Sequence, residues 1–405
     1  MREEPKQRQR RVLMIVENLP SPFDRRVWQE ATTLQRAGYQ VAIICPIGEG
    51  YEQREERIDG VWIYRHALPL EADGALGYAL EYGSALFWEF YLSLKVLFRH
   101  GFDVIHACNP PDTIFLIGGF FKLFGKRFLF DHHDINPELY EAKFNRRDVF
   151  YRLMLLLERW TFRTADVSIA TNESYREIAI SRGGMNPERV FVVRSGPDVS
   201  RLKRLPPVPS WKNGRRYLVG YVGVIGKQEG IDHLLRAVRH LVADLGREDV
   251  HFVIVGGGTE LDSLKAMAGE LDVGSFVTFT GRVPDKTLLE ALNTADICVN
   301  PDIANAMNDK STMNKIMEYM ALGKPIVQYD LTEGRRSALD ASWYAKPNDI
   351  EDFALKIRQL LDDPHARERM GAFGMARIEN ELAWDYEAPK LLASYDCVFE
   401  TKAPT

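Results

Sequence analysis

NDKSTMNKIMEYMALGKPIV, residues 308–327, reads as a helix running into a strand, and it decides how the second half of the chain is built. Met313, Ile316, Met317, Met320 and Ala321 fall at i, i+3, i+4, i+7 and i+8, the stripe a helix buries against a sheet. Gly323 is placed to end the helix in a left-handed turn, Pro325 forbids its continuation, and IVQY has the β-branched content of a strand. The opposite face carries Ser311, Asn314, Lys315 and Glu318, with Asn314 and Glu318 one above the other. A solvated helix satisfies that pattern, and so does one that grips a ligand. The rest of the chain decides between them.

The same alternation extends outward on both sides. Around the helix lie YLVGYVG (217–223), HFVIVGG (251–257), FVTFTG (276–281) and DICVNP (296–301), separated by helical patterns over 230–244, 259–270 and 285–294. The first half repeats it with VLMIV (12–16), VAIIC (41–45), VWIY (61–64), DVIHA (103–107), RFLFD (127–131), DVSIA (166–170) and VFVV (190–193). Near-continuous apolar strands separated by helices imply parallel sheets covered on both faces. RLKRLPPVPSWKNGRR (201–216) is basic, proline-rich and aperiodic, and reads as a linker. The expected fold is α/β, with two Rossmann-like doubly wound domains at 1–200 and 217–385. The largely helical 350–400 stretch ends in a helix over 386–405 that packs back on the first domain.

At 405 residues, two domains of about 200 each are the natural division. Hydrophobic and charged contents of 45% and 27% are those of a soluble globular protein, and a net charge of -5 gives no footprint for nucleic acid. Cys45, Cys108, Cys298 and Cys397 have no metal-ligand spacing and read as reduced thiols of a cytoplasmic protein. The apolar run after MREEPKQRQRR is too short for a signal peptide, and the stretches 85–98 and 114–130 are too broken to span a bilayer.

Ligands of open parallel sheets bind beyond the carboxyl ends of the strands. In the second half those positions hold Gly223, Gly226 and Gly230, then Gly256 to Gly258, Arg282, and the run from Asn300 to Asp309. In the first half they hold Asp24, Arg25 and Arg26, then Asn109, and DHHD at 131–134. Two such rims imply one interdomain cleft. The N-terminal amides of the opening helix, with Lys310 and Lys315, suit a diphosphate. Glu318, about 10 Å further along the axis from Ser311, suits the hydroxyls of an attached ribose.

FDRRVWQEATTLQRAGYQV, HACNPPD, FDHHDINPELY, VVRSGPD, GYVGVIGKQEG, VIVGGG, FTGRVP and NKIMEYMALGKPIV occur in this order over nearly the whole chain. Together they resemble the retaining glycosyltransferases of family four, of GT-B fold, and are similar to bacterial exopolysaccharide and lipid-linked-glycan enzymes. The resemblance implies a nucleotide-diphosphate sugar held by the second domain through Gly223, Gly226, Lys227, Gly257, Arg282, Lys310, Ser311, Asn314, Lys315 and Glu318. It implies a glycan or lipid-linked acceptor held by the first, with Asp24, Arg26, Asn109 and Asp134 on that side. Glu318 matches the family's ribose-binding glutamate, and His133 a histidine near the transferred sugar. The glycine loop matches the phosphate segment, and the backbone around Arg282 the loop beside the base.

The chain departs from the family in places. Lys310 stands where a first glutamate is common, leaving Asp309 as the nearest carboxylate for the donor sugar. Val224 and Glu229 stand where an arginine and a lysine usually neutralise the diphosphate, so that Lys227, Lys310 and Lys315 are the available cations. No Asp-x-Asp pair anchors a metal clamp, and the adjacent histidines of DHHD point to opposite faces of an extended segment; no metal and no cofactor is expected. No G-x-G-x-x-G follows a strand, against a dinucleotide oxidoreductase, while a noncatalytic sugar-nucleotide-binding subunit or an epimerase of the same fold stays open. FFKLFGKRF (120–128) sets Lys122, Lys126 and Arg127 among phenylalanines, and FNRRDVFYRL (144–153) adds Arg146, Arg147 and Arg152. That mixture suits peripheral contact with an anionic membrane as well as the edge of a core.

Overall fold

The computed structural model describes residues 9–67 and 74–400; the start of the first expected domain and the end of the terminal helix, 1–8 and 401–405, lie outside them. The chain divides into two compact units, residues 1–194 with 387–405, and residues 195–386. The first is built on β1 (Arg11–Ile15), β2 (Gln40–Pro46), β3 (Glu55–Ile58), β4 (Val61–His66), β5 (Val104–Cys108), β6 (Arg127–His132), β7 (Val167–Ala170) and β8 (Val190–Val192). They lie in the order β3-β4-β2-β1-β5-β6-β7-β8. Every pairing is parallel except β3 with β4.

In the β3–β4 hairpin VWIY forms β4 as expected, and only β3 has no counterpart in the apolar pattern, because it is EERI and its charges guard an open sheet edge. Its turn is Asp59-Gly60, with φ of 48° and 86°, the left-handed pair that a tight hairpin requires.

The second unit carries β9 (Tyr217–Val222), β10 (Val250–Val255), β11 (Val277–Gly281), β12 (Ile297–Asn300), β13 (Ile326–Tyr329) and β14 (Ser342–Ala345), ordered β11-β10-β9-β12-β13-β14. All are parallel. In each sheet the strand order reverses at one place, between β1 and β5 in the first and between β9 and β12 in the second. Such switch points splay the loops apart and open a crevice at the strands' carboxyl ends. The segments that follow β1, β5, β6, β9 and β12 supply most of the expected site residues.

Two expectations change. The helix expected from 308 begins only at Asn314 and ends at Ala321. Asn305 Oδ1 accepts the amides of Met307 and Asn308, both at 2.9 Å, and Ser311 Oγ donates to Met307 O at 2.8 Å; these bonds hold 305–311 as turns. Ser311 is therefore off the helix face, and the axial spacing from it to Glu318 does not apply. The buried stripe is Ile316, Met317, Tyr319 and Met320, whereas Met313 and Ala321 are only half-buried. Tyr319 is the informative member. Its hydroxyl accepts from Val222 N–H at 2.8 Å and donates to Val299 O at 3.3 Å, tying the helix to the ends of β9 and β12.

Nor is 201–216 a free linker. Leu202 is buried in the second unit's core, with Leu205 and Trp211 packed against it.

Candidate functional site

In the second unit the glycines after β9 and β10 are needed because two turns touch through their backbones. A Cβ on Gly256 would lie 1.8 Å from Gly223 O, and one on Gly258 would lie 2.2 Å from Ile225 O. Ile225 N–H donates to Gly257 O at 3.1 Å, locking the turns together. Gly230, at φ 63°, lets the chain enter the Ile231–Arg239 helix; a Cβ there would meet Pro301 O at 2.0 Å. Arg282 lies along Gly257, its Cγ 3.1 Å from the position of a Cβ. Lys227 and Asn314 are exposed at the rim.

Lys315 does not stand on an open face. Its side chain is only 10% exposed, its Nζ pairs with Asp302 at 2.9 Å and reaches the Tyr221 hydroxyl at 3.3 Å, and its Cε lies 3.3 Å from the Cβ position of Gly223. The ammonium thus sits beneath the glycine turn. Burial lowers its pKa, but Asp302 and Tyr221 more than offset this and leave it raised. Asp302 is pushed up by burial against the pull of Lys315. Glu229 is likewise raised, by burial and by Asp302. Asp302 Oδ2 and Glu229 Oε2 are buried without a hydrogen-bond partner. Such atoms are costly unless something completes them.

Glu318 pairs with Arg201 at 2.9 Å. Lys310 lies in the 305–310 turn, its amide bonded to Met307 O at 3.1 Å. Asp309 is engaged by Thr332. Its carboxylate accepts the amide of Thr332 at 2.8 Å and the Thr332 hydroxyl at 3.0 Å, capping the Thr332–Ala338 helix.

In the first unit Arg26 is the centre. Its guanidinium makes two bonds to Asp131, at 3.2 and 2.9 Å, pairs with Glu30 at 3.1 Å, and donates to Val193 O at 2.9 Å. His133 Nε2 lies 2.6 Å from Asp131 Oδ2 and 2.9 Å from Arg26 Nε. His106 completes the cluster, with Nε2 3.4 Å from Asp131 and Nδ1 2.7 Å from the Tyr395 hydroxyl. Burial pushes the Asp131 carboxyl up, but Arg26 and His133 hold it well below the usual carboxylate range. Glu30 is raised well above it, by burial and by Asp131. The two acids are driven in opposite directions, as expected when two carboxyl groups share one cation.

Asn109 fixes the turn carrying His133. Its Oδ1 accepts the amides of His133 and Asp134 at 2.8 and 3.1 Å, and its Nδ2 donates to Asp134 O at 2.6 Å. Asp24 is the cap of the Arg25–Arg36 helix, accepting Val27 N–H at 3.2 Å. The structure therefore brings Arg26, Asn109, His133 and Asp134 together and gives Asp24 a helix to start. Glu30, Asp131, His133 and, separately, His106 with Cys108 offer metal-ligand atoms. The guanidinium already lies among the carboxylates, so a cation there would have to displace Arg26 and its ion pairs.

Among the described residues no helix is long and apolar enough to cross a membrane.

These two units match solved structures as a pair. Sucrose-phosphate synthase from Thermosynechococcus elongatus is similar with a TM-score of 0.80 at 17% identity, over 97% of this chain and 100% of that one. Anabaena HepE in complex with UDP and glucose is similar with a TM-score of 0.70 at 15% identity, over 96% and 100%. Fold and sheet order are those of the GT-B class. Two family profiles match in turn, Glycosyltransferase Family 4 over residues 24–201 and Glycosyl transferases group 1 over residues 208–377. The chain belongs to the glycosyltransferase family that these two profiles together describe. Among its relatives, the GDP-mannose-dependent monoacylated alpha-(1-6)-phosphatidylinositol monomannoside mannosyltransferase of Corynebacterium glutamicum is 26% identical over 209 residues, 49% of this chain. That match spans 53% of the relative's length.

Proposed function

We propose that this protein moves a hexose, with its anomeric configuration kept, from a nucleotide-diphosphate sugar to a glycan or lipid-linked acceptor, without a divalent cation. The second unit holds the donor and the first the acceptor. One observation carries the reading: the interlocked turns at 223–226 and 256–258 meet the start of the Asn314–Ala321 helix, with Lys315 beneath them and Glu318 one turn on. As the bond from the anomeric carbon to the diphosphate breaks, negative charge grows on the leaving oxygen. Lys315 and the helix amides stabilise that charge more in the transition state than before it. Glu318 accepts the ribose hydroxyls, and the backbone at Arg282 lies beside the base. The names of the relatives point to UDP or GDP as the carrier, and one of them to a phosphatidylinositol-type acceptor.

A panel of UDP-glucose, GDP-mannose and ADP-glucose tests this, read first by melting temperature, which a bound donor raises by mass action. The same donors are then incubated with excess EDTA and no acceptor. We expect one donor to stabilise the protein and to be hydrolysed slowly. Binding without turnover favours a noncatalytic subunit, and activity restored only by magnesium or manganese overturns the metal-free step.

A second reading concerns the acceptor's source. The Val149–Thr164 helix is inverted: Glu158, Thr161 and Phe162 are buried, whereas Val149, Phe150, Leu153, Leu156 and Trp160 are exposed. Leu116, Phe120, Leu123 and Phe124 continue the exposed apolar surface, and Phe115 meets Trp160 at 5.5 Å between ring centres. Lys122 does not contribute the expected free charge, because Asp166 holds it at 2.7 Å. Exposed apolar groups of this extent suit insertion into a membrane surface. Liposome flotation of the intact protein and of a Leu123→Ser, Phe124→Ser, Leu153→Ser variant checks this. Wild-type protein should float with anionic vesicles and the variant should not; equal behaviour overturns membrane docking.

A further inference from the structure

We propose that Arg201 is a positioning residue for the donor, fixing the Glu318 carboxylate in the orientation that receives a nucleotide's ribose hydroxyls. The proposal rests on the ribose role of Glu318 given above. Arg201 spans two carboxylates on different helices: Nη2 lies 2.9 Å from Glu318 Oε1 and Nη1 lies 3.1 Å from Asp285 Oδ2. A planar fork can bridge two acids in this way, and a lysine ammonium cannot do so with the same geometry.

A long side chain orients a partner only if its own base is fixed. Arg201 N–H donates to Asp198 O at 3.1 Å, and the Lys203 carbonyl accepts from Asn293 Nδ2 at 3.1 Å. Between them Leu202 is buried in the same apolar cluster as Ile316, Met317 and Met320, the core face of the helix that carries Glu318. The arginine and the glutamate are thus anchored to one rigid body, and their relative position is set by packing.

Ordering a side chain at the moment of binding weakens binding, and a guanidinium that already holds the Glu318 carboxylate lowers that cost. A carboxylate offers about four acceptor positions, so one occupied by Arg201 leaves room for the two hydroxyls of a ribose.

The test compares affinities of UDP, GDP and ADP with those of their 2'-deoxy counterparts, for wild type, Glu318→Ala, Arg201→Ala, Arg201→Lys and the double alanine variant. Wild type should prefer the ribonucleotide by roughly tenfold or more, the scale of hydrogen bonds to a charged group. Glu318→Ala and Arg201→Ala should both bring that ratio close to one, and the double variant should be no worse than Glu318→Ala. Arg201→Lys keeps the charge and the packed stem, and should recover only part of the preference. It also stands in for Arg201→Ala if that variant melts early. Protein that binds no nucleotide overturns the donor reading, and Glu318→Ala with an unchanged ratio overturns the ribose role. If Glu318→Ala loses the preference while Arg201→Ala or Arg201→Lys keeps all of it, the positioning role of Arg201 alone is overturned.

Discussion

Each unit sets a buried cation among carboxylates at the carboxyl ends of its strands, and the two clusters differ in how many groups hold the cation. Arg26 has Asp131, Glu30, Val193 O and His133 around it, and Asp131 is drawn well below the usual carboxylate range. Lys315 has one ion pair and one hydroxyl, its partner Asp302 is pushed up, and oxygens of Asp302 and Glu229 are buried without a hydrogen bond. Buried carboxylate oxygens without a hydrogen bond occur in both clusters, at Glu30 as at Asp302 and Glu229, so the difference lies in the cation: one held by several partners fixes a fold, and one held by two keeps capacity for a ligand. The choice of cation follows the same division, a rigid fork in the frame and a mobile point charge beneath the phosphate turn.

The largest effect should come from breaking the cluster around Arg26. Arg26→Ala strands an ionised Asp131 in the interior and should cost about 3–5 kcal/mol, seen as a large fall in the melting midpoint. Lys315→Met should cost less, about 1–3 kcal/mol, because Asp302 is already disposed to take a proton; turnover of the sugar nucleotide should fall at least roughly tenfold. Equal destabilisation by the two substitutions would erase the distinction between frame and site.

The smallest effect sharpens it. Glu229 opposes an incoming diphosphate when ionised, so Glu229→Gln should tighten donor binding roughly threefold to tenfold. The raised Glu229 takes a proton as pH falls, and wild-type affinity should strengthen in that direction. The variant should lack that slope, and calorimetry across pH reads both. Weaker binding by the variant would mean that Glu229 aids the donor.

The strands were legible because parallel sheets need continuous apolar runs, and the glycines because two backbones cannot meet at 223 and 256 with side chains between them. The EERI strand escaped because its residues are chosen for an exposed edge, although Asp59-Gly60 signals the hairpin. Glu318 was readable as a polar residue on an otherwise core-facing helix. Its partner Arg201 was not, since a basic, proline-rich stretch carries no periodicity to show that Leu202 is buried. Lys315 was found but misplaced, because helical spacing gives a face and not whether a long side chain folds back under a loop. Of the two residues that hold it, Tyr221 lies within the apolar run of β9 and carries no polar signal, and Asp302 falls in the run from Asn300 to Asp309 with nothing to single it out.

The first unit is discontinuous in sequence, and this bears on how the chain is made. Its buried cluster needs Tyr395 on His106, and Arg194 N–H bonds to Glu387 at 2.9 Å. Residues 195–386 are therefore synthesised before the unit that begins the chain receives its last piece. On the ribosome the middle of the protein is the first part with a complete set of contacts, and the amino-terminal sheet must wait, part-built, for the final helix to leave the exit tunnel.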